Sequence, residues 1–222
     1  MNETTQQQVI DQTVAFVKER LPADPTGHDW WHTYRVWKNA LHIGAEEQAD
    51  LYVVQLAALL HDVADHKFHQ GDDKLGAQVA AEWLTGLGVE TAVVEHVSAI
   101  IAEMSFKGAN VETAIRTREG MVVQDADRLD ALGAIGIARA FAYGGYKQRL
   151  LHDPDVPPVL HDSFEQYKAT KGPTINHFYE KLLLLKDRMN TAAGRRMAEQ
   201  RHAILEEFLR EFLAEWEGET TP

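Results

Sequence analysis

The chain contains no cysteine, which excludes disulfides and thiolate metal sites and is compatible with a reducing compartment. Any nitrogen ligand for a metal must then come from its eleven histidines. A basic run is also missing: 34 acidic residues stand against 22 lysines and arginines, a formal charge of -12. That balance argues against a nucleic acid polymer or an anionic membrane as partner, and an anionic small molecule would need a local basic pocket or a metal. No apolar run reaches the roughly 18 residues of a membrane span. Met1 to Arg20 is polar and amphipathic without a signal-peptide core, so the expected location is cytoplasmic. Neither a convincing strand pattern nor an internal repeat is present, and 222 residues at 45% hydrophobic content suffice for one substantial core.

What is present is helical periodicity. Val9, Ile10, Thr13, Phe16 and Val17 predict a helix over Thr5 to Leu21, ended before Pro22. After a turn at Pro22 to Gly27, a second helix begins near His28 or Asp29, with Thr26 and Asp29 as candidate N-caps. One side of it gathers His28, His32, Arg35 or Val36, Asn39, Ala40 and Ile43, which mixes polar groups into what should be core. A third helix is predicted from about Glu46 to Ala64, and a fourth from Leu75 to Leu84, closed by Gly86 and Gly88. The spacing of Val93, Val97, Ile100, Ile101 and Met104 gives a fifth, followed by a loop over residues 105–117. Glu119 to Tyr143 reads as one central helix, with Asp125, Asp127 and Asp130 set among small and apolar residues. Gly144 to Pro173 reads as a long loop, Thr174 caps a helix reaching Met189, and Ala192 to Glu217 forms the last helix. The expected architecture is all-α, about eight helices in one domain spanning residues 1–222.

The chemistry concentrates where the apolar run Leu56-Ala57-Ala58-Leu59-Leu60 ends in His61-Asp62. Imidazole beside carboxylate at the end of a buried helix is costly unless something binds both, and a divalent metal is the obvious candidate. On a continuous helix Asp65 follows His61 by four residues and Asp62 by three, so all three can face one site. His32 from the second helix and Asp127 from the central one can complete the shell. Mixed nitrogen and oxygen ligation suits Mn²⁺, Fe, Co²⁺, Ni²⁺ or Zn²⁺ better than Ca²⁺.

This order of residues resembles the HD superfamily of metal-dependent phosphohydrolases, whose signature is a His, a His-Asp pair and a distant Asp on separate helices. The match lies in His32-Thr33-Tyr34-Arg35-Val36, Ala57-Ala58-Leu59-Leu60-His61-Asp62 and Asp127-Arg128-Leu129-Asp130. Met104-Ser105-Phe106, Asp125-Ala126-Asp127-Arg128-Leu129-Asp130-Ala131 and Thr174 to Leu182 further resemble a bacterial single-domain subgroup that includes nucleotide pyrophosphohydrolases. The resemblance implies a metal-site core over about 25–143, with C-terminal helices over about 174–217 packed on it. It implies one divalent ion, Mn²⁺ foremost with Mg²⁺, Co²⁺, Ni²⁺, Fe²⁺ or Zn²⁺ as alternatives, on His32, His61, Asp62 and Asp127. Asp65 is expected to orient or deprotonate water, and Arg35 and Lys67 to contact phosphate.

The implied reaction is cleavage of a nucleoside triphosphate to monophosphate and pyrophosphate. Phosphomonoesterase, cyclic-nucleotide phosphodiesterase and non-catalytic metal or nucleotide sensor are the alternatives. Two-metal relatives carry two further histidines between the His-Asp pair and the last Asp. Here His66 and His69 lie too close to the pair and His96 stands alone, so one metal is expected and His96 is assigned no ligand role. His28 is assigned to the helix start or to supporting a ligand. The aromatic residues Trp30, Trp31, Tyr34 and Trp37 are expected in core or interface.

Overall fold

In a computed structural model, which describes residues 2–63, 75–104, 115–160 and 172–219, all regular structure is helical. Among the described residues there are nine α-helices: α1 (Glu3–Arg20), α2 (Trp30–Glu46), α3 (Leu51–Leu60), α4 (Leu75–Gly86), α5 (Thr91–Glu103), α6 (Arg118–Asp130), α7 (Gly133–Tyr146), α8 (Thr174–Glu180) and α9 (Ala192–Trp216). Two short 3₁₀ turns, Leu182–Leu184 and Lys186–Arg188, join α8 to α9.

Several helix starts follow from side-chain caps. Asn2 accepts from Thr5 N, Asp29 from Trp31 N and His32 N, Asp50 from Tyr52 N and Val53 N, and Thr191 from Gly194 N. Asp29 rather than Thr26 therefore opens α2, and this fixes the rotation at which His32 leaves the helix. α3 is apolar on all sides, with Val54, Leu56, Ala57, Ala58, Leu59 and Leu60 all fully buried. A helix of that composition must sit at the centre, and α1, α2, α5 and α6 pack around it. α2 lies against α6 as well, α4 pairs with α5, and α9 covers α7 and α6.

Three expected elements differ from the structure. The third helix starts at Leu51, because α2 runs on to Glu46 and the chain turns through Gln48 at φ 55° before Asp50 caps α3. It ends at Leu60, and His61, Asp62 and Val63 form a tightened turn in which Val63 N donates to Leu60 O at 3.1 Å. The long run Glu119 to Tyr143 is two helices. Gly133 adopts φ 67°, a conformation open to glycine, and a Cβ on Gly136 would stand 2.2 Å from Ala131 O. Arginines reach the carbonyls at this break: Arg201 Nη1 donates to Leu129 O at 2.6 Å and Arg139 Nη1 reaches Asp130 O at 3.4 Å.

The third difference is at Thr174, which lies inside α8 instead of capping it, and α8 gives way to 3₁₀ turns after Glu180. Here the segment resembling the subgroup has a structural task. Asn176 Nδ2 donates to Val156 O at 2.8 Å, and Glu180 Oε1 accepts from Val159 N at 3.1 Å. Thr174 N and Ile175 N donate to Leu150 O and Leu151 O, so α8 pins the stretch after α7 along its length.

Candidate metal centre

Three elements deliver the expected ligands to one point. The end of α3 and its turn carry His61 and Asp62, α2 brings His32 from its first turn, and α6 brings Asp127 from its last. His32 Nε2 lies 3.3 Å from His61 Nε2, 3.2 Å from Asp62 Oδ2 and 3.4 Å from Asp127 Oδ1. His61 Nε2 is 3.3 Å from Asp62 Oδ2 and 4.0 Å from Asp127 Oδ1. Bonds of about 2.0–2.2 Å to one ion place neighbouring ligand atoms about 3.0 Å apart in octahedral and about 3.4 Å apart in tetrahedral geometry. Four of these five separations fall in or near that range, and the fifth, His61 to Asp127 at 4.0 Å, is longer.

The second ring nitrogens fix which atoms face inward. His61 Nδ1 donates to Ala58 O at 2.8 Å, and His32 Nδ1 donates to the carboxylate of Asp130 at 2.7 Å. Both Nε2 atoms therefore carry a lone pair whenever the rings are neutral. Two lone pairs 3.3 Å apart, beside Asp62 and Asp127, require positive charge between them.

The ionisation of the groups expresses the same demand. Burial opposes charge on His61, yet Asp62 and Asp127 outweigh it and push the imidazole up to about 9. His32 is raised as well: burial resists, and Asp130 and Asp62 prevail. Burial also resists ionisation of Asp62, but His61 and His28 hold its carboxyl well below the usual range. A divalent ion among these atoms would meet the same demand for positive charge. The α3 C-terminus, the negative end of that helix's dipole, adds a further bias toward a cation.

His28 completes this picture. It precedes α2, stacks on His32 at a ring separation of 5.2 Å, and sets Nε2 3.1 Å from Asp62 Oδ2. Two overlapping triads able to hold a metal are thus His32, His61, Asp127 and His28, His32, Asp62. The site opens on one side: His32 is 3% exposed, whereas the Asp127 side chain is 40% exposed.

Arg35, expected to contact phosphate, also has a partner within the protein. Its fork faces Asp130, with Nε 2.6 Å from Oδ1 and Nη2 2.9 Å from Oδ2. Asp130 also takes Arg139 Nη1 at 2.7 Å and is 1% exposed. Asp130 stands three residues after Asp127, which puts both carboxylates on one helix face. Asp65 and Lys67 lie outside the described residues, as do His66, His69, Ser105 and Phe106. His96 stands on α5, 3.8 Å from Glu119, apart from the triads. In the aromatic group Trp30 is buried and Trp31 is exposed on the far edge of Tyr34.

Among the described residues, an all-helical scaffold gathers two histidines and two aspartates from three elements into a cluster that could hold a metal ion. The HD domain family matches residues 30–132. The YpgQ protein of Bacillus subtilis is 38% identical over 202 residues, 90% of each chain. The crystal structure of an HD-superfamily hydrolase from Bacillus thuringiensis has 45% identity and a TM-score of 0.75, covering 96% of this chain and 98% of that one. The crystal structure of Bacillus subtilis YpgQ in complex with ADP has 36% identity and a TM-score of 0.75, covering 94% and 95%. The chain belongs to the HD superfamily and is a metal-dependent hydrolase of its bacterial branch. No helix among the described residues is long and apolar enough to cross a membrane.

Proposed function

We propose that the chain hydrolyses nucleotides, cleaving a nucleoside triphosphate to monophosphate and pyrophosphate, with one divalent ion, Mn²⁺ foremost, held by His32, His61, Asp62 and Asp127. The observation carrying this reading is that His32 Nε2 lies 3.2–3.4 Å from His61 Nε2, Asp62 Oδ2 and Asp127 Oδ1, separations that suit ligands of one ion. The ADP complex of the relative YpgQ supports the choice of a nucleotide. When bound, such an ion supplies a Lewis acid and makes water a stronger acid.

The residues divide the remaining work. His32 and His61 present Nε2 because their Nδ1 atoms are occupied, so neither ring needs to reorganise. Asp65 orients water and accepts its proton, and Lys67 offsets charge on the phosphate. Arg35, with two nitrogens on Asp130, acts in this scheme by holding that carboxylate. Near the centre Arg35, Arg139 and a divalent ion together exceed the charge of Asp62, Asp127 and Asp130. A chain of net charge -12 can therefore still accept an anion. The protein acts in this reading as one HD domain in the cytoplasm, with a small phosphate compound as its partner.

The test is a screen of nucleotides and sugar phosphates with Mn²⁺, Mg²⁺, Co²⁺ and Ni²⁺, reading pyrophosphate and orthophosphate separately. Release of pyrophosphate from a triphosphate is expected. Orthophosphate alone would point to a phosphomonoesterase, opening of cyclic nucleotides to a phosphodiesterase, and tight nucleotide binding without turnover to a sensor.

A further inference from the structure

The proposed chemistry gives Asp130 no direct contact with substrate, yet its side chain is among the most heavily engaged in the fold. Its Oδ2 receives His32 Nδ1 at 2.7 Å, Arg139 Nη1 at 2.7 Å and Arg35 Nη2 at 2.9 Å. Its Oδ1 receives Arg35 Nε at 2.6 Å. The donors come from the first turn of α2, its second turn, and α7 beyond the Gly133 break.

A buried carboxylate needs compensation, and one guanidinium with two-pronged contact would supply it. Two guanidiniums and an imidazole on one carboxylate do more: they fix the position of both oxygens. Arg139 is itself wedged, since a Cβ on Gly27 would stand 3.2 Å from its Cγ, and Gly27 is held at φ 77° one residue before His28. The carboxylate is thus a fixed point against which the His32 ring is set. With Nδ1 bound there, Nε2 on the opposite side of the ring faces His61, Asp62 and Asp127.

We infer that Asp130 is the positioning residue of this metal centre: locked by Arg35 and Arg139, it holds His32 in the tautomer and orientation that present Nε2 to a divalent cation. The inference rests on the reading of His32 as a ligand. Carboxylates that orient a ligating histidine typically change metal affinity by about 10–100-fold when altered.

The experiment titrates Mn²⁺, and Co²⁺ with its absorption bands, into metal-free full-length protein by calorimetry and spectroscopy. Four proteins are compared: wild type, His32→Ala, Asp130→Asn and Asp125→Asn. His32→Ala should lose measurable binding, and Asp130→Asn should bind about 10–100-fold more weakly, with altered Co²⁺ bands. Asp125 is another buried aspartate on α6 that contacts Asn190 and Thr191 and no proposed ligand, so Asp125→Asn should keep the wild-type Kd. If His32→Ala loses the metal while Asp130→Asn binds like wild type, the positioning role is overturned. If His32→Ala binds like wild type, the ligand assignment falls instead. Should Asp130→Asn not fold, long-range proton–nitrogen NMR of the Zn²⁺-loaded wild type decides. His32 protonated at Nδ1 is expected, and protonation at Nε2 would overturn the inference.

Discussion

Replacing Gly194 by alanine sets two effects of known sign against each other. Gly194 lies in the first turn of α9, where helix propensity alone favours alanine by about 1 kcal/mol. A Cβ there would stand 2.5 Å from Asp125 Oδ2 and 2.8 Å from Thr191 Oγ1, closer than real methyl groups come. Asp125 is fully buried and takes Thr191 N and Oγ1 at 2.8 Å each, with Asn190 N and Nδ2 both at 2.9 Å. Pushing this carboxylate aside disrupts at least two such bonds, at about 1 kcal/mol each, and leaves a buried N–H unpaired at about 1–3 kcal/mol more. The steric loss exceeds the propensity gain, and Gly194→Ala should be destabilised by about 2–4 kcal/mol. With a urea slope of about 2–3 kcal/mol per molar, the unfolding midpoint should fall by about 1 M. A midpoint equal to or above that of wild type would refute the reasoning.

Asp62→Ala and Asp127→Ala should lose metal and turnover together, whereas Asp65→Ala should lose turnover and keep the metal; metal analysis beside product assays separates these outcomes. Gly27→Ala places a side chain at φ 77° and against Arg139, so stability should fall by about 1–2 kcal/mol and Mn²⁺ binding should weaken, as thermal melts and calorimetry would record. Burial, with Lys181 and Arg149 beside it, pushes His177 down to about 3. Its folded form stays neutral while the unfolded form takes a proton below about 6.5, so stability held above that pH should be lost toward pH 3. Urea unfolding between pH 7.5 and 5.5 should show a slope of up to about 1 kcal/mol per pH unit that flattens in His177→Gln.

Most of the helices, and the grouping of His32, His61, Asp62 and Asp127, were readable because each depends on short-range spacing. Residues such as Val97, Ile100 and Ile101 mark a buried face directly, and His32, His61, Asp62 and Asp127 each end or begin a recognisable string. What spacing does not carry is partnership across the chain. Arg35 reads as a phosphate ligand from its place after His32, and nothing in that spacing shows that Asp130, far away in sequence, takes its Nε and Nη2. The division of Glu119 to Tyr143 is likewise hidden, since its residues suit one helix and only the close approach of Gly136 to Ala131 requires the break. His28 could be placed near the helix start but not against Asp62, because the turn before α2 decides where its ring goes.

The layout of the donors also bears on how this chain is held shut. With no cysteine it has no covalent means of tying α2, the end of α3 and α6 to one another. His32, His61 with Asp62, and Asp127 lie far apart in sequence, so an ion bound to all of them closes two large loops, as a pair of cross-links would. Its binding energy then counts toward folding by mass action, about 2.7 kcal/mol when free ion stands a hundredfold above Kd. The same four side chains would serve at once as reaction centre and as the reversible staple of the helical bundle.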